Sequence, residues 1–262
     1  MIERPAVLIT GGAKRIGAAI ASAFGKAGWH VVIHYGTSRD DADALAATLP
    51  SAEAIQADLS DAAAPAELVR SIATRLRDWR VLVNCASVFE LDSAAGLDQH
   101  IFQRAMQINA AAPAALAQAY LTHGRSAAGR RVIQVTDQKI LNPNPDFFSY
   151  TMSKHALNAT IPMLSMAYAD PNDRVYGLAP GAILASHDQQ EAETERSHRM
   201  NLLRRKTGAE EVADAALFLA HGWLRSGETL FIDSGQHLLS QPRDVLFLAR
   251  GQAAVGASGG SA

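Results

Sequence analysis

Seven short apolar runs, separated by segments of helical periodicity, constrain this chain more than any other feature of its 262 residues. The runs are Ala6–Thr10, His30–His34, Ala54–Asp58, Arg80–Asn84, Arg131–Thr136, Arg174–Leu178 and Thr229–Asp233. Most are apolar throughout instead of alternating, the pattern of strands covered on both faces. Between them lie Ile16–Ala27, Asp40–Leu49, Pro65–Arg77, Asp98–Tyr120, Ser149–Ala169 and Glu210–Ala220, each with helical spacing of apolar residues. Strand-then-helix repetition implies a parallel sheet with right-handed crossovers.

The expectation is therefore α/β: a single doubly wound domain of Rossmann type, about seven parallel strands with helices on both faces, over residues 1–250. Two segments depart from the pattern. Residues 185–206 are rich in Glu, Gln and His; lying at the carboxyl edge of the sheet, they are expected to form a lid over a ligand, with His187 and Asp188 candidates to touch it. Residues 251–262 are almost entirely Gly, Ala and Ser and are expected to be a flexible tail.

A net charge of -2 gives no reason to expect nucleic acid or an anionic membrane as partner. The single cysteine, Cys85, excludes an intrachain disulfide and sits in an apolar run as an inert thiol. No metal-ligand spacing occurs among the nine histidines and this cysteine. No apolar run reaches the roughly 20 residues needed to cross a bilayer. The first strand follows the N-terminus too closely to leave room for a signal peptide, so a cytoplasmic protein is expected.

Directly after the first strand comes Thr10-Gly11-Gly12-Ala13-Lys14-Arg15-Ile16-Gly17, which opens a helix. Glycines allow a sharp turn and let a pyrophosphate approach the backbone, while the helix N-terminus supplies free N–H groups. Tight turns use the same residues, but this strand-to-helix context points to a dinucleotide. A carboxylate at the end of the second strand would hold the ribose of NAD and repel a 2′-phosphate. The sequence has His34-Tyr35-Gly36-Thr37-Ser38-Arg39 there instead, with Lys14, Arg15 and Arg39 adding positive charge. Ser38 suits either a helix cap or a phosphate contact. NADPH is the expected cofactor.

Tyr150-Thr151-Met152-Ser153-Lys154 places a phenol and an ammonium on one helix face. The neighbouring cation is expected to bring the phenol's pKa down from about 10. Together with the glycine turn, this pair makes the chain resemble the short-chain dehydrogenases/reductases to about Leu239. The matching residues include Asp58-Leu59, Asn84-Cys85-Ala86-Ser87, Asn109 and Pro180-Gly181. The resemblance implies that Tyr150 donates a proton, Lys154 binds the nicotinamide ribose and tunes it, and Asn109 helps hold the lysine through water. It implies that Asp58 and Leu59 border the adenine, and that Asn84, Ala86, Ser87, Pro180 and Gly181 line the cofactor. It also implies a homotetramer.

Three departures are similar to the pteridine and dihydromonapterin reductase branch. Asp137 stands thirteen residues before Tyr150, where the family usually has serine; Arg15 replaces a frequent glycine; and Ser87 follows Asn84-Cys85-Ala86, with Phe89 two residues on. His34, Tyr35 and Ser38 match the same branch. A dihydropterin presents a C=N bond whose nitrogen must gain a proton, and a carboxyl can deliver one. Phe89 is the candidate to stack on the pterin, with Arg15, Ser87, Asp137, Tyr150 and Ile183 as further substrate contacts. Phe89 also fits a core position, Asp137 an orienting or turn-capping role, and Arg15 a phosphate contact alone.

The reaction implied is NADPH-dependent reduction of dihydromonapterin, dihydrobiopterin or dihydrofolate. The rivals are carbonyl reduction on a 3-oxoacyl thioester or other ketone, and a cofactor-sensing protein without catalysis.

Overall fold

A computed structural model describes residues 4–185 and 189–258, with side chains described to residue 251. Seven parallel strands form one sheet: β1 (Ala6–Thr10), β2 (His30–Tyr35), β3 (Ala52–Gln56), β4 (Trp79–Asn84), β5 (Arg131–Val135), β6 (Arg174–Pro180) and β7 (Thr229–Ile232). Their order is β3-β2-β1-β4-β5-β6-β7. The chain runs outward from β1 in one direction and resumes from β4 in the other, opening a crevice at the carboxyl ends of these two strands.

Period-two alternation divides the buried strand residues between two cores. Val7, Ile9, Val31, Ile33, Val81, Val83, Ile133, Tyr176 and Leu178 face α1 (Arg15–Lys26) and α8 (Ala209–Ala220), meeting Ile20, Phe24, Val212 and Leu219. Leu8, Val32, Leu82, Val132 and Val175 face α3 (Ala64–Ala73), α5 (Ala112–His123) and α6 (Phe148–Ala167), meeting Leu68, Ile72, Leu116, Tyr120 and Ile161. Both faces are covered, which is why the strand sequences carry almost no polar alternation. α2 (Arg39–Thr48) follows β2 and packs on β3.

Several elements differ from expectation. β3 starts two residues earlier than Ala54, in register Val31↔Ala52 through Tyr35↔Gln56. It is the edge strand and only partly buried, so Glu53 is tolerated in it and the apolar pattern is a poor guide. The span Asp98–Tyr120, expected as one helix, is α4 (Gln99–Met106), a π-helical stretch Gln107–Ala111, and α5. Pro113 has no N–H for the carbonyl of Asn109, which favours a local break in the α-helical ladder there.

The 185–206 segment contains α7 (Glu191–Ser197); His187 and Asp188 lie outside the described residues. The terminal helix α9 (Val245–Ser258) runs into the segment expected to be a flexible tail. Alanine there favours helix as readily as glycine and serine oppose it.

Candidate active site

The glycine turn is shaped by contacts too close for side chains. Gly11 has φ +63, and a Cβ on it would lie 2.9 Å from the Cα of Ala86. A Cβ on Gly17 would lie 2.1 Å from the carbonyl oxygen of Gly11. Thr10 Oγ1 accepts from the N–H groups of Cys85 (3.0 Å) and Ala86 (3.1 Å), stitching the ends of β1 and β4 together. No acidic residue lies in the first turn of α1, and its N-cap residue Lys14 makes no side-chain cap bond. The helix thus presents bare N–H groups at the turn, as an anion site requires.

His34, one of the residues at the end of β2 expected beside the cofactor, is tied by its ring to the backbone of the turn. Its Nδ1 accepts from the N–H of Gly11 (3.1 Å) and its Nε2 lies 3.1 Å from the carbonyl of Ala57. Burial pushes its pKa down to about 4, so the ring is neutral, with the proton on Nε2. Both nitrogens are spent on backbone, and His34 holds the turn's shape. Beside it, the Arg39 guanidinium lies 5.6 Å from the centroid of the Tyr35 ring. Ser38 is the N-cap residue of α2 without a side-chain cap bond, so its hydroxyl is available to a ligand. Lys14 pairs with Asp41 at 2.9 Å. Asp58 is exposed, and its Oδ1 accepts from the Ser60 hydroxyl and N–H, which lowers its pKa. Leu59 is buried beneath it.

A cavity of about 410 Å³ opens from this turn toward β5 and β6. Its lining brings together Gly11, Lys14, Arg15, Ile16, Gly17, Ala86, Ser87, Phe89, Asp137, Tyr150, Lys154, Pro180, Gly181 and Ile183 from the residues singled out in the sequence. At its centre Tyr150 Oη donates to Asp137 Oδ2 at 2.7 Å, and the Lys139 N–H donates to Asp137 Oδ1 at 2.9 Å. Lys154 Nζ donates to the Val135 carbonyl at 2.8 Å.

Burial dominates the electrostatics of this cluster. It raises the pKa of Asp137, with the Lys139 ammonium opposing; it lowers that of Lys154. Burial, then the Asp137 charge, raises Tyr150 well above 10. This corrects the expectation that Lys154 draws the phenol's pKa down: burial, and then the Asp137 carboxyl bonded to the phenol, push it up, and Tyr150 is a neutral donor. Burial likewise raises Cys85 to about 11, an inert thiol.

Asn84, expected to line the cofactor, and Asn109, expected to help hold Lys154, both bond to protein groups. Asn84 points away from the cavity, and its Nδ2 donates to Pro113 O (3.1 Å) and Gln134 Oε1 (2.9 Å). Asn109 sits in the π-helical stretch. Its Oδ1 accepts from Ser87 Oγ (3.1 Å) and the Val88 N–H (2.8 Å), while its Nδ2 donates to Val88 O (2.9 Å) and Ser153 Oγ (3.0 Å). It clamps the Ser87–Val88 loop to α6 and has no direct bond to Lys154.

Arg15 has φ +54, a conformation that costs about 1–3 kcal/mol and recurs where ligands bind. The guanidinium crosses the cavity mouth to the carbonyls of Ala185 (3.1 Å) and Leu184 (3.5 Å).

Phe89 is 37% exposed and lines the cavity. Phe147 stacks on it at 4.1 Å and 21°, and the Tyr150 ring meets it at right angles, centroids 4.7 Å apart. Phe147, itself at φ +53, was not expected at the site. Nor were Lys139, buried and paired with Asp244 at 2.7 Å, or the lining residues Gln189, Ser197, His198, Gln236 and Leu246. Lys139 lies two residues from Asp137, and that proximity was a usable signal. Gln189, Ser197 and His198 come from the segment whose composition reads only as a lid, and Phe147, Gln236 and Leu246 from loops and helix starts with no motif of their own.

The family model described as Enoyl-(Acyl carrier protein) reductase matches residues 11–237. The chain is 29% identical to Pteridine reductase 1 of Leishmania tarentolae, covering 89% of this chain and 96% of that protein. It is 27% identical to the granaticin polyketide synthase putative ketoacyl reductase 2 of Streptomyces violaceoruber, covering 90% and 98%. Among solved structures, FolM Alternative dihydrofolate reductase 1 from Brucella suis, in complex with NADP, superposes with a TM-score of 0.84 at 32% identity, covering 92% of this chain and 98% of that one. With the sheet order, the glycine turn and the Tyr150–Lys154 pair all in place, the chain belongs to the short-chain dehydrogenase/reductase family.

Proposed function

We propose that this protein reduces a 7,8-dihydropterin, such as dihydromonapterin, dihydrobiopterin or dihydrofolate, to the tetrahydro form with NADPH. The observation that carries this reading is the carboxyl of Asp137, hydrogen-bonded to Tyr150 at 2.7 Å on the cavity wall. A carbonyl reductase needs a hydroxyl there to orient an oxygen; a C=N bond needs a group that can part with a proton. The pterin and dihydrofolate reductases among the similar proteins support the same substrate class.

The cradle suits the cofactor: turn glycines without room for a Cβ, uncapped N–H groups of α1, and no carboxylate before Asp40 at the end of β2. Bound NADPH would supply the hydride that reaches the carbon of the C=N bond. Gly11, Arg15, Gly17, Ser38 and Arg39 would hold its phosphates, and Lys154 its nicotinamide ribose. Asp137 would deliver the proton to the pterin nitrogen. Burial raises its proton affinity, and Tyr150, neutral, steadies it through the 2.7 Å bond. Phe89, backed on one face by Phe147, offers a flat surface to the pterin.

Carbonyl reduction is the second reading, favoured by the ketoacyl reductase relative. One assay separates the two: NADPH oxidation followed with dihydropterins, dihydrofolate and a panel of ketones. Turnover of a pterin is expected; turnover of ketones alone would reverse the order. A tetramer in the cytoplasm belongs to the same proposal, supported by exposed Met152, Met163 and Met166 on α6. Among the described residues, no helix is long and apolar enough to cross a membrane.

A further inference from the structure

We infer that His198 hydrogen-bonds a hydroxyl group on the substituent that the dihydropterin carries at its reacting carbon. The inference rests on the pterin reading above and assigns the part of the substrate that reading leaves open.

His198 follows α7, is only 4% exposed, and lines the cavity. Its backbone is engaged: the N–H donates to Thr194 O, and the carbonyl accepts from Asn201 Nδ2. The imidazole makes no hydrogen bond to any described residue. A ring that lines a cavity with its hydrogen-bonding capacity unspent can take a partner from a ligand bound there. Burial, and then the Lys206 ammonium, lower its pKa, so the ring is neutral and offers one donor and one acceptor. That is the complement of a hydroxyl.

The surrounding wall narrows the choice further. Ser197 and Gln189, joined by a 3.2 Å hydrogen bond, flank His198 on the cavity and are uncharged. The cations nearby are committed: Lys139 to Asp244, Lys206 to Glu195. This wall therefore suits a neutral, hydroxylated chain rather than a carboxylate. The reacting carbon of a 7,8-dihydropterin is the one that bears the side chain, so the chain must leave the catalytic cluster along one of the remaining walls. Val245 and Leu246, at the start of α9, which packs against α7, add apolar surface beside it. On this side of the cavity His198 is the group placed to pair with a hydroxyl.

The test compares two substrates that differ in that substituent: 7,8-dihydrobiopterin, which carries hydroxyls, and 6-methyl-7,8-dihydropterin, which carries none. In His198→Leu the ratio of their kcat/KM values is expected to fall by roughly threefold to tenfold, as for loss of one neutral hydrogen bond, and mainly through KM. His198→Gln, which keeps a donor and an acceptor, is expected to restore most of the ratio. If the leucine variant does not fold, His198→Met takes its place. Turnover of both pterins with the ratio unmoved, or glutamine no better than leucine, would overturn this inference alone. No turnover of either pterin by the wild type would overturn the reductase reading and this inference with it.

Discussion

Asp137→Asn separates what the carboxyl does for catalysis from what it does for the fold. Asparagine keeps the shape, and its carbonyl oxygen can still accept from the Lys139 N–H that now lies 2.9 Å away. Its amide nitrogen would face Tyr150 Oη, which must turn from donor to acceptor. Burial raises the folded-state pKa of Asp137 above its ordinary value. A carboxyl shifted that way contributes stability below the unfolded pKa of about 3.9, and this is lost as pH rises through the folded value. Burying the ionised form is thus a stability cost, and a neutral amide removes it. The variant is expected to unfold at the same temperature as the wild type or higher. Catalysis should move the other way. An amide cannot give up a proton, and a positioned general acid contributes about 10²- to 10⁴-fold, so pterin kcat/KM should fall by at least about 100-fold. Cofactor affinity should change little, since Asp137 has no part in the phosphate turn. NADPH oxidation, cofactor fluorescence titration and thermal unfolding read the three quantities. A loss of less than about tenfold in kcat/KM would refute the acid role; an equal loss of NADPH affinity, or a marked fall in Tm, would make Asp137 a structural residue.

Gly17→Ala would set a methyl group 2.1 Å from the Gly11 carbonyl, backbone against backbone. It is expected to cost about 1–3 kcal/mol in urea unfolding and most of the NADPH affinity; unchanged binding would show the turn is not the cofactor cradle. His34, with a folded pKa of about 4 against 6.5 unfolded, favours the neutral ring. Its contribution is present above pH 6.5 and lost as pH falls toward 4, to a total of about 3 kcal/mol. His34→Phe should weaken the fold at pH 7 by about 1–3 kcal/mol, through the unpaired Gly11 N–H, and flatten that acid dependence. Parallel urea titrations at about pH 7 and about pH 5 check it, and an equal pH slope in both proteins would contradict it.

The sheet was legible because each central strand is buried on both faces, so its sequence is apolar without interruption. β1 matches residue for residue, whereas the edge strand β3, half-exposed and carrying Glu53, was placed two residues late. The chemistry at the strand ends was legible where one residue type admits one use: the Gly11 and Gly17 turn, and the pairing of Tyr150 with Asp137. What could not be read were commitments made by tertiary neighbours. The polar atoms of His34 are engaged by backbone of Gly11 and Ala57, and those of Asn109 by Val88 backbone and the Ser87 and Ser153 hydroxyls, partners no spacing announces. The sign of the Tyr150 shift is set by burial and then by Asp137, and spacing alone carries no information on burial. Phe147 and His198 enter the site from a helix cap and a polar segment with no pattern of their own.

The most direct measurement of the central claim is the pH dependence of pterin kcat/KM in the wild type, with the cofactor saturating. An acid at position 137 must be protonated to act. Activity should then be full at low pH and decline as pH rises through a group whose pKa lies above that of an ordinary aspartate. Tyr150, neutral well past pH 10, should leave no mark on that limb. A decline that is present in the wild type and absent in Asp137→Asn is the predicted result. A profile that stays level through the carboxylate and neutral range, or one whose decline survives in Asp137→Asn, would contradict it.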